Sequence, residues 1–166
     1  MIRNFFIVGL ILGLAVFITI SFEHVFKSKD ADFFILEKGK PLSNFSFETL
    51  DGEQSSLSDF AGKPVIVHFW ATWCPPCLVE FPELITFAEK NTDNIVLAVS
   101  SDRNREAIHK MGWDVPSNLF IIFDEGEVIT REKFSVFRLP ETYVFDAEHR
   151  MTDHIIGAYK DWPSYY

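Results

Sequence analysis

The chain is short of basic residues and of cysteine. Lys and Arg total 15 against 24 Asp and Glu over 166 residues, which gives a formal net charge of −9. Nucleic-acid-binding proteins normally present a basic face, so we expect no nucleic-acid partner. Two cysteines cannot form the framework of several disulfides that holds many small secreted domains together. The pair is therefore expected to be catalytic, metal-binding or a single staple.

Internal repeats and low-complexity segments are also missing, whereas apolar residues are plentiful. The chain is 48% hydrophobic and 16% aromatic, with 18 Phe. This composition supports a packed core and argues against disorder. The length fits one domain of ordinary size with a short extension.

The first thirty residues differ from the rest in composition. Residues 5–22 read FFIVGLILGLAVFITISF and carry no charge. As a helix this run would be about 27 Å long, close to the roughly 30 Å hydrocarbon core of a bilayer. A cleaved signal peptide is the alternative, but its apolar region is usually shorter and ends in a small-x-small site, which this run lacks. We therefore predict a transmembrane anchor or signal-anchor over residues 1–26, a tether over residues 27–40 and one domain over residues 41–166.

Strand and helix patterns alternate along the predicted domain. PVIVHFW at residues 64–70 and NIVLAVS at residues 94–100 are apolar on both faces, as buried strands are. Helices are expected from Cys74 to about Asn91 and over residues 102–112, which end at a glycine stop signal. The other predicted elements are a hairpin around Asp51–Gly52, a strand in residues 118–128 with a turn at Glu125–Gly126, a short helix over residues 129–134 and a closing hairpin of residues 141–146 and 151–159. This order predicts a three-layer α/β sandwich around a mixed sheet.

Both cysteines lie in one motif, Cys74-Pro75-Pro76-Cys77, where a predicted strand leads into a helix. Free amides and the positive end of the helix dipole favour a thiolate at Cys74. Such positions can lower a thiol pKa from about 8.5 into the range of roughly 3.5 to 7.5. The two prolines are tolerated in the first helical turn and stiffen it. We predict that Cys74 attacks a disulfide and that Cys77 resolves the mixed disulfide.

Other uses of the cysteine pair have less support. Tetrahedral zinc needs two more ligands, and the five histidines show no paired spacing, so no metal site is expected. A staple closing so small a loop would add little stability. Copper handling remains an alternative because two thiolates can hold Cu(I), although the three Met are scattered. A peroxide-reducing enzyme would need an Arg near its cysteine, and the sequence next to Cys74 offers none.

The segment VIVHFWATWCPPCLVEFPEL resembles the active-site segment of thioredoxin-like proteins, specifically the membrane-tethered TlpA/ResA-type branch. The similarity continues through LDGEQSSLSDFAGKPV and FSVFRLPETYVFD and covers about residues 41–162. It implies a thioredoxin-like α/β/α sandwich that faces the periplasm from the inner membrane and exchanges thiols and disulfides without a cofactor beyond the Cys74–Cys77 disulfide. Implied partners are disulfides in exported proteins such as apocytochrome c, and a transmembrane thiol electron donor. Reduction is the expected direction, but a disulfide oxidant is the alternative, because the CPPC motif does not fix a redox potential.

The resemblance also assigns roles to individual residues. Cys74 resembles the family nucleophile and Cys77 its resolving thiol. Pro140 resembles the cis-proline that offers main-chain hydrogen bonds to a docked peptide, and Pro82 resembles a proline that kinks the active-site helix. Trp70 and Trp73 resemble aromatic residues that wall the site. The residues expected to bind substrate are Trp70, Trp73, Pro75, Pro76, Leu139 and Pro140.

Two titratable residues are candidates for proton transfer. Glu80 lies three residues after Cys77, on the same helix face. The TlpA/ResA-type branch uses a Glu here in proton handling, and a solvated first-turn Glu is the alternative. His68 departs from the family, since thioredoxins carry a buried Asp here and the tethered branch often has Asn. We hypothesise that His68 relays protons to Cys77, with a hydrogen-bonded core histidine as the alternative.

The end of the chain is a second departure from the family pattern. GAYKDWPSYY stops at Tyr166, where family members usually continue into a final helix that covers one sheet face. We therefore expect either that this helix is missing or that the chain is a shortened form, which affects the packing of the sheet and not the chemistry.

Overall fold

The computed structural model describes residues 36–159 and 162. In chain order its elements are strands β1 (Ser46–Glu48), β2 (Gln54–Ser56) and β3 (Val65–Trp70), helix α1 (Pro75–Lys90), strand β4 (Ile95–Ser100), helix α2 (Arg105–His109), and strands β5 (Leu119–Phe123), β6 (Glu141–Phe145) and β7 (Met151–Ile156). A 3₁₀ turn, Leu57–Phe60, follows β2, and a short helical turn, Val128–Lys133, follows β5. The predicted elements are thus present in the predicted order.

Five strands form the central sheet in the order β5-β4-β3-β6-β7. Strands β3, β4 and β5 are parallel, whereas β6 runs antiparallel to β3 and β7 antiparallel to β6. The connections through α1 and α2 cross the sheet in the same direction, so right-handed crossovers place both helices on one face. This mixed sheet is that of the thioredoxin-like α/β fold implied by the sequence.

The two faces of the sheet have different covers. Alternation along β3 directs Ile66, His68 and Trp70 to the face covered by α1 and α2, which we call the helix face. Val67 and Phe69 point to the opposite face, which the β1–β2 hairpin and the two short turns cover and which we call the hairpin face. The sequence predicted a helical layer on both faces. The hairpin face differs because the connection from β5 to β6 contains only two short helical segments, Glu125–Glu127 and Val128–Lys133, before it becomes irregular.

Helix α2 is shorter than the predicted helix over residues 102–112. The Asn104 side chain accepts a hydrogen bond from the Glu106 amide at 2.8 Å and so caps the helix there. Asp102 is held before the helix because its own amide donates to Ser100 Oγ at 3.1 Å. Gly112 adopts a φ of 62°, which ends the following turn. The five-residue helix is therefore bounded by a side-chain cap at its start and by a glycine turn after its end.

Most of the predicted anchor and tether lies outside the described residues, including the apolar run 5–22. Across residues 36–159 and 162, we find no helix with the length and apolar character that a membrane span requires. The last part of the predicted tether, residues 36–40, lies along β7, where the Gly39 amide donates to the Met151 carbonyl at 2.8 Å. Beyond β7, residues 157–159 and Trp162 are not helical.

Candidate active site

Cys74 and Cys77 form a disulfide at the start of α1, with their Cα atoms 5.3 Å apart. Cys74 is the N-cap residue, and Pro75 and Pro76 occupy the first helical positions. The exposed fraction is 5% for Cys74 and zero for Cys77. A partner thiol or disulfide therefore reaches Cys74 first, where the positive end of the helix favours a thiolate. The order in which Cys74 attacks and Cys77 resolves stays a prediction.

A groove of about 300 Å³ opens beside Cys74. One wall consists of Trp73, Pro75 and Pro76, and the other includes Phe137 and Leu139. The side chains of Trp73 and Phe137 are 63% and 65% exposed, which is unusual for large aromatic residues. Exposed apolar surface of this kind marks interaction sites. The groove has the form expected for an extended peptide lying across the disulfide.

The peptide bond between Leu139 and Pro140 is cis, as the resemblance implied. Pro140 is buried, and its carbonyl accepts a hydrogen bond from the Gly157 amide at 2.9 Å. Leu139 lines the groove beside Cys74. The fold thus brings a segment that is distant in sequence to the active-site turn. Peptide binding by Pro140 stays a prediction.

Trp70 does not lie in the groove. Its side chain is fully buried and packs on Phe81 and Trp113, with ring centroids 4.4 Å and 5.1 Å away. The expectation that Trp70 contacts a docked substrate was therefore wrong. Because side chains alternate along β3, Trp70 points to the helix face, where it packs against Phe81 of α1.

Glu80 is buried on α1, one turn after Cys77, with an exposed fraction of 2%. Burial raises the pKa of Glu80 to about 7, opposed by the backbone amide of Tyr159 and assisted by the negative charge of Glu83. No side chain within the described residues donates to its carboxyl oxygens. Glu80 is therefore not the solvated first-turn residue that was the alternative. It can exchange a proton near neutral pH.

His68 is fully buried on β3 beneath α1. Its Nδ1 lies 2.9 Å from Thr142 Oγ1, and its Nε2 has no hydrogen-bond partner. The ring centroid is 6.4 Å from that of Phe81 and 5.7 Å from that of Trp162. Burial lowers the pKa of His68 to about 3, so the imidazole is neutral. His68 is therefore a hydrogen-bonded core histidine, and a relay of protons from it to Cys77 stays a prediction.

One network that fixes the active-site turn was missed from the sequence. The Thr72 amide and hydroxyl donate to the two oxygens of Asp102 at 2.9 Å and 2.6 Å. Ser100 also donates to Asp102, at 2.7 Å. These bonds tie the segment before Cys74 to the end of β4. Their only sequence signal was polar residues at the ends of neighbouring parallel strands, which meet at one sheet edge.

Thr130 and Arg131 also line the groove beside Cys74. Arg131 donates to the Val136 carbonyl at 2.7 Å, pairs with Glu127 at 3.1 Å and lies over the Phe137 ring. The fold brings Arg131 to the groove, so the expectation that no Arg lies near Cys74 was wrong. The Arg131 guanidinium is, however, engaged in holding the groove wall. The residues around Cys74 include no Met, and no group of three or more potential ligands occurs within the described residues.

Comparisons with known proteins agree with this geometry. The Redoxin family profile matches residues 37–165. The chain is 30% identical over 155 residues to the thiol-disulfide oxidoreductase ResA of Bacillus thuringiensis (strain Al Hakam), covering 91% of this chain and 85% of that protein. It is 32% identical over 123 residues to the thiol:disulfide interchange protein DsbE of Pseudomonas fluorescens biotype C, covering 72% and 67% of the two chains.

A solved structure gives the same answer for the fold. A crystal structure from Chlorobium tepidum, described as a thiol:disulfide interchange protein DsbE, superposes with a TM-score of 0.67 at 27% identity. The match covers 75% of this chain and 88% of that one. With the Cys74–Cys77 disulfide at the start of α1 and a groove beside it, the chain belongs to the Redoxin family and is a thiol-disulfide oxidoreductase of the thioredoxin fold.

Proposed function

We propose that this oxidoreductase is a membrane-anchored reductant that breaks disulfides in exported proteins such as apocytochrome c. The anchor is the apolar segment within residues 1–26, and the domain faces the extracytoplasmic side. A transmembrane thiol carrier returns the Cys74–Cys77 disulfide to the dithiol. The resemblance to the tethered branch supports the location, because a reductant for exported proteins must act where disulfides form.

The reaction follows from the different exposure of the two sulfurs. The Cys74 thiolate attacks one sulfur of a substrate disulfide lying in the groove, and the other substrate sulfur leaves as a thiolate and takes a proton. The Cys77 thiol then loses its proton and attacks the Cys74 sulfur, which releases the second substrate thiol. Two electrons pass to the substrate, and the protein is left with the disulfide seen in the structure.

The Cys77 proton needs a buried acceptor, because Cys77 has no contact with solvent. Glu80 lies one turn away on the same helix face, and its pKa of about 7 allows it to accept the proton and release it at neutral pH. We assign His68 a supporting role. Its Nδ1 lies 2.9 Å from Thr142 Oγ1, and its neutral ring packs near Phe81 on the helix face, so it shapes the surroundings of the proton acceptor and does not take the proton itself.

One observation supports reduction over oxidation: the titratable groups buried on α1 and on β3 beneath it, Glu80 and His68, are a carboxyl and an uncharged imidazole. An ionised carboxyl destabilises a neighbouring thiolate by charge repulsion, and a neutral imidazole does not stabilise a thiolate by charge. Strong oxidants of this fold owe their potential to a stabilised reduced form. The helix N-terminus acts in the opposite direction by favouring the Cys74 thiolate, so the potential is the quantity to measure.

The direction is tested by equilibrating the full-length protein with glutathione or dithiothreitol buffers. We expect the Cys74–Cys77 couple at about −200 mV or lower. A potential near −120 mV, that of a strong oxidant, would contradict the reductant role. Glu80→Gln should raise the potential, because it removes the charge that opposes the thiolate.

The substrates are tested by trapping. Cys77→Ser should accumulate mixed disulfides between Cys74 and exported proteins, since the resolving thiol is missing. Cys74→Ser is the matched control, because it keeps one buried cysteine and removes the accessible one. Mixed disulfides confined to cytoplasmic proteins, or equal trapping by both variants, would reject the proposal.

A further inference from the structure

A buried polar cluster lies behind the groove wall and takes no part in the exchange reaction. Glu141 is the first residue of β6, follows the cis peptide directly and is 6% exposed. Its Oε1 accepts a hydrogen bond from the Tyr143 hydroxyl at 2.8 Å and lies 2.7 Å from His154 Nε2. The rings of Tyr143 and His154 are stacked 4.2 Å apart. We call Glu141, Tyr143 and His154 the Glu141 network.

The Glu141 network is joined to the loop that forms one groove wall. The Tyr143 hydroxyl also lies 3.2 Å from the Phe134 carbonyl, where this loop begins. Burial and the neighbouring Glu141 raise the pKa of Tyr143, so its hydroxyl stays protonated and remains a donor. Val136, Phe137 and Leu139 follow in the loop and line the groove. The network therefore anchors the loop at its start, while the cis peptide before Glu141 is at its end.

Stability alone does not explain why polar residues occupy this place. A buried ion pair or hydrogen-bonded carboxylate is often no more stabilising than apolar residues of similar volume. The surrounding hairpin face is built from Phe residues that would accommodate such a replacement. Polar groups do, however, fix one arrangement, because their hydrogen bonds have defined directions and partners.

We propose that the Glu141 network is a positioning device that holds the loop of residues 134–140 in the form that docks a peptide. This inference rests on the proposed function, since it concerns how a polypeptide disulfide is bound. Arg131 holds the middle of the same loop through the Val136 carbonyl, so the wall is fixed at two points by side chains. The three residues act on substrate binding through the loop and not on the sulfurs.

The test compares two substrates of the reduced full-length protein. A cyclic disulfide peptide of about ten residues must dock in the groove, whereas hydroxyethyl disulfide is too small to need the wall. In Tyr143→Phe, which removes only the hydroxyl, we expect the half-saturating peptide concentration to rise about three- to tenfold. The maximal rate and the rate with hydroxyethyl disulfide should stay within about twofold of the wild-type values.

Two further variants separate positioning from general stability. Glu141→Gln keeps an oxygen that can accept from Tyr143, so it should recover most of the peptide affinity that Glu141→Leu loses. Thr152→Val is the matched control, because Thr152 donates to the Val144 carbonyl between the same two strands but does not contact the loop. It should leave the preference between the two substrates unchanged.

Three outcomes would overturn the inference. Unchanged peptide affinity in Tyr143→Phe would show that the network does not position the loop, and an equal loss with both substrates would show a purely structural role. A wild-type protein that shows no saturation with the peptide would reject the proposed function itself, together with the inference that depends on it.

Discussion

Buried polar groups on the two faces of the central sheet differ in whether they have hydrogen-bond partners. The unpartnered buried nitrogens within the described residues, on His68, Trp70 and Trp162, lie on the helix face. On the hairpin face, the buried Glu141 and Tyr143 bond each other, and aromatic rings pack around them. An unpartnered buried group costs about 1–3 kcal/mol. The helix face therefore carries the cost of unpartnered buried groups, whereas Glu141 and Tyr143 avoid that cost on the hairpin face.

This difference suggests a division of labour. The hairpin face supplies stability through a dense aromatic cluster and fixes the groove wall. The helix face carries Glu80 one turn after Cys77, and a group that exchanges protons cannot be permanently saturated with hydrogen bonds. This division is tested by variants of one face or of both.

The largest effect is expected from the hairpin face. Phe145 is fully buried on β6 and contacts Phe134 in the aromatic cluster. Phe145→Ala should lower the free energy of unfolding by about 3–5 kcal/mol, because it removes apolar contacts and leaves a cavity. The proton affinity of Cys77 should not change, as measured by thiolate absorbance in a Cys74→Ser background, where Cys77 is the one remaining cysteine.

A matched control is Phe145→Leu, which leaves a smaller cavity and should cost less. If Phe145→Ala also shifted the Cys77 titration, the two faces would be coupled and their division would fail.

On the helix face, Glu80 and His68 should change the free energy of unfolding with pH in opposite directions. Folding raises the pKa of Glu80 from 4.5 to about 7, so its contribution to stability falls as pH rises through that window. Folding lowers the pKa of His68 from 6.5 to about 3, so its contribution falls as pH drops from about 6.5 towards 3. The two trends oppose each other between about pH 4.5 and 6.5.

A variant that removes Glu80 or His68 should show the pH dependence of stability that the remaining residue causes. The free energy of unfolding of Glu80→Gln should stay constant up to pH 8 and fall by about 3 kcal/mol as pH drops from 6.5 to 4. The free energy of unfolding of His68→Asn should fall by about 2 kcal/mol as pH rises from 4.5 to 7. The smaller figure discounts the full shift, because Glu80 is less completely enclosed than His68 and solvent screens part of its charge. Urea unfolding of the oxidised protein at several pH values measures both. Parallel profiles for the two variants would contradict the assignment, and the double variant serves as the control.

Sequence patterns were most informative where the structure is local. The buried strands, the capped start of α1 and the Cys-Pro-Pro-Cys turn follow from neighbouring residues. The cis bond before Pro140 came from resemblance, and nothing local requires it. The Asn104 cap that shortens α2 could also have been read from the sequence, since Asn is a favoured N-cap residue.

Contacts between distant segments were not predictable in the same way. Glu141 and His154 meet because the β6–β7 register pairs Tyr143 with His154, and a shift of one residue would have moved His154 to the other face. Arg131 reaches the groove only after the β5–β6 connection has folded. Trp70 was misplaced because its motif was considered without the alternation of β3, which buries it.

The smallest effect is expected when one polar hydrogen-bond donor is removed from each face. Trp162→Phe removes an unpartnered indole N–H but keeps a ring beside His68 and Phe87. Tyr143→Phe removes a paired hydroxyl from the hairpin face. We expect the free energy of unfolding to change by less than about 0.5 kcal/mol in the first variant, because the lost ring area offsets the relief of a buried donor, and to fall by about 1 kcal/mol in the second. Equal losses would mean that the Trp162 donor has a partner in solution and that the helix face is as well satisfied as the other. A stabilised Trp162→Phe protein with slower disulfide exchange would instead show that the unpartnered donor is retained for the chemistry.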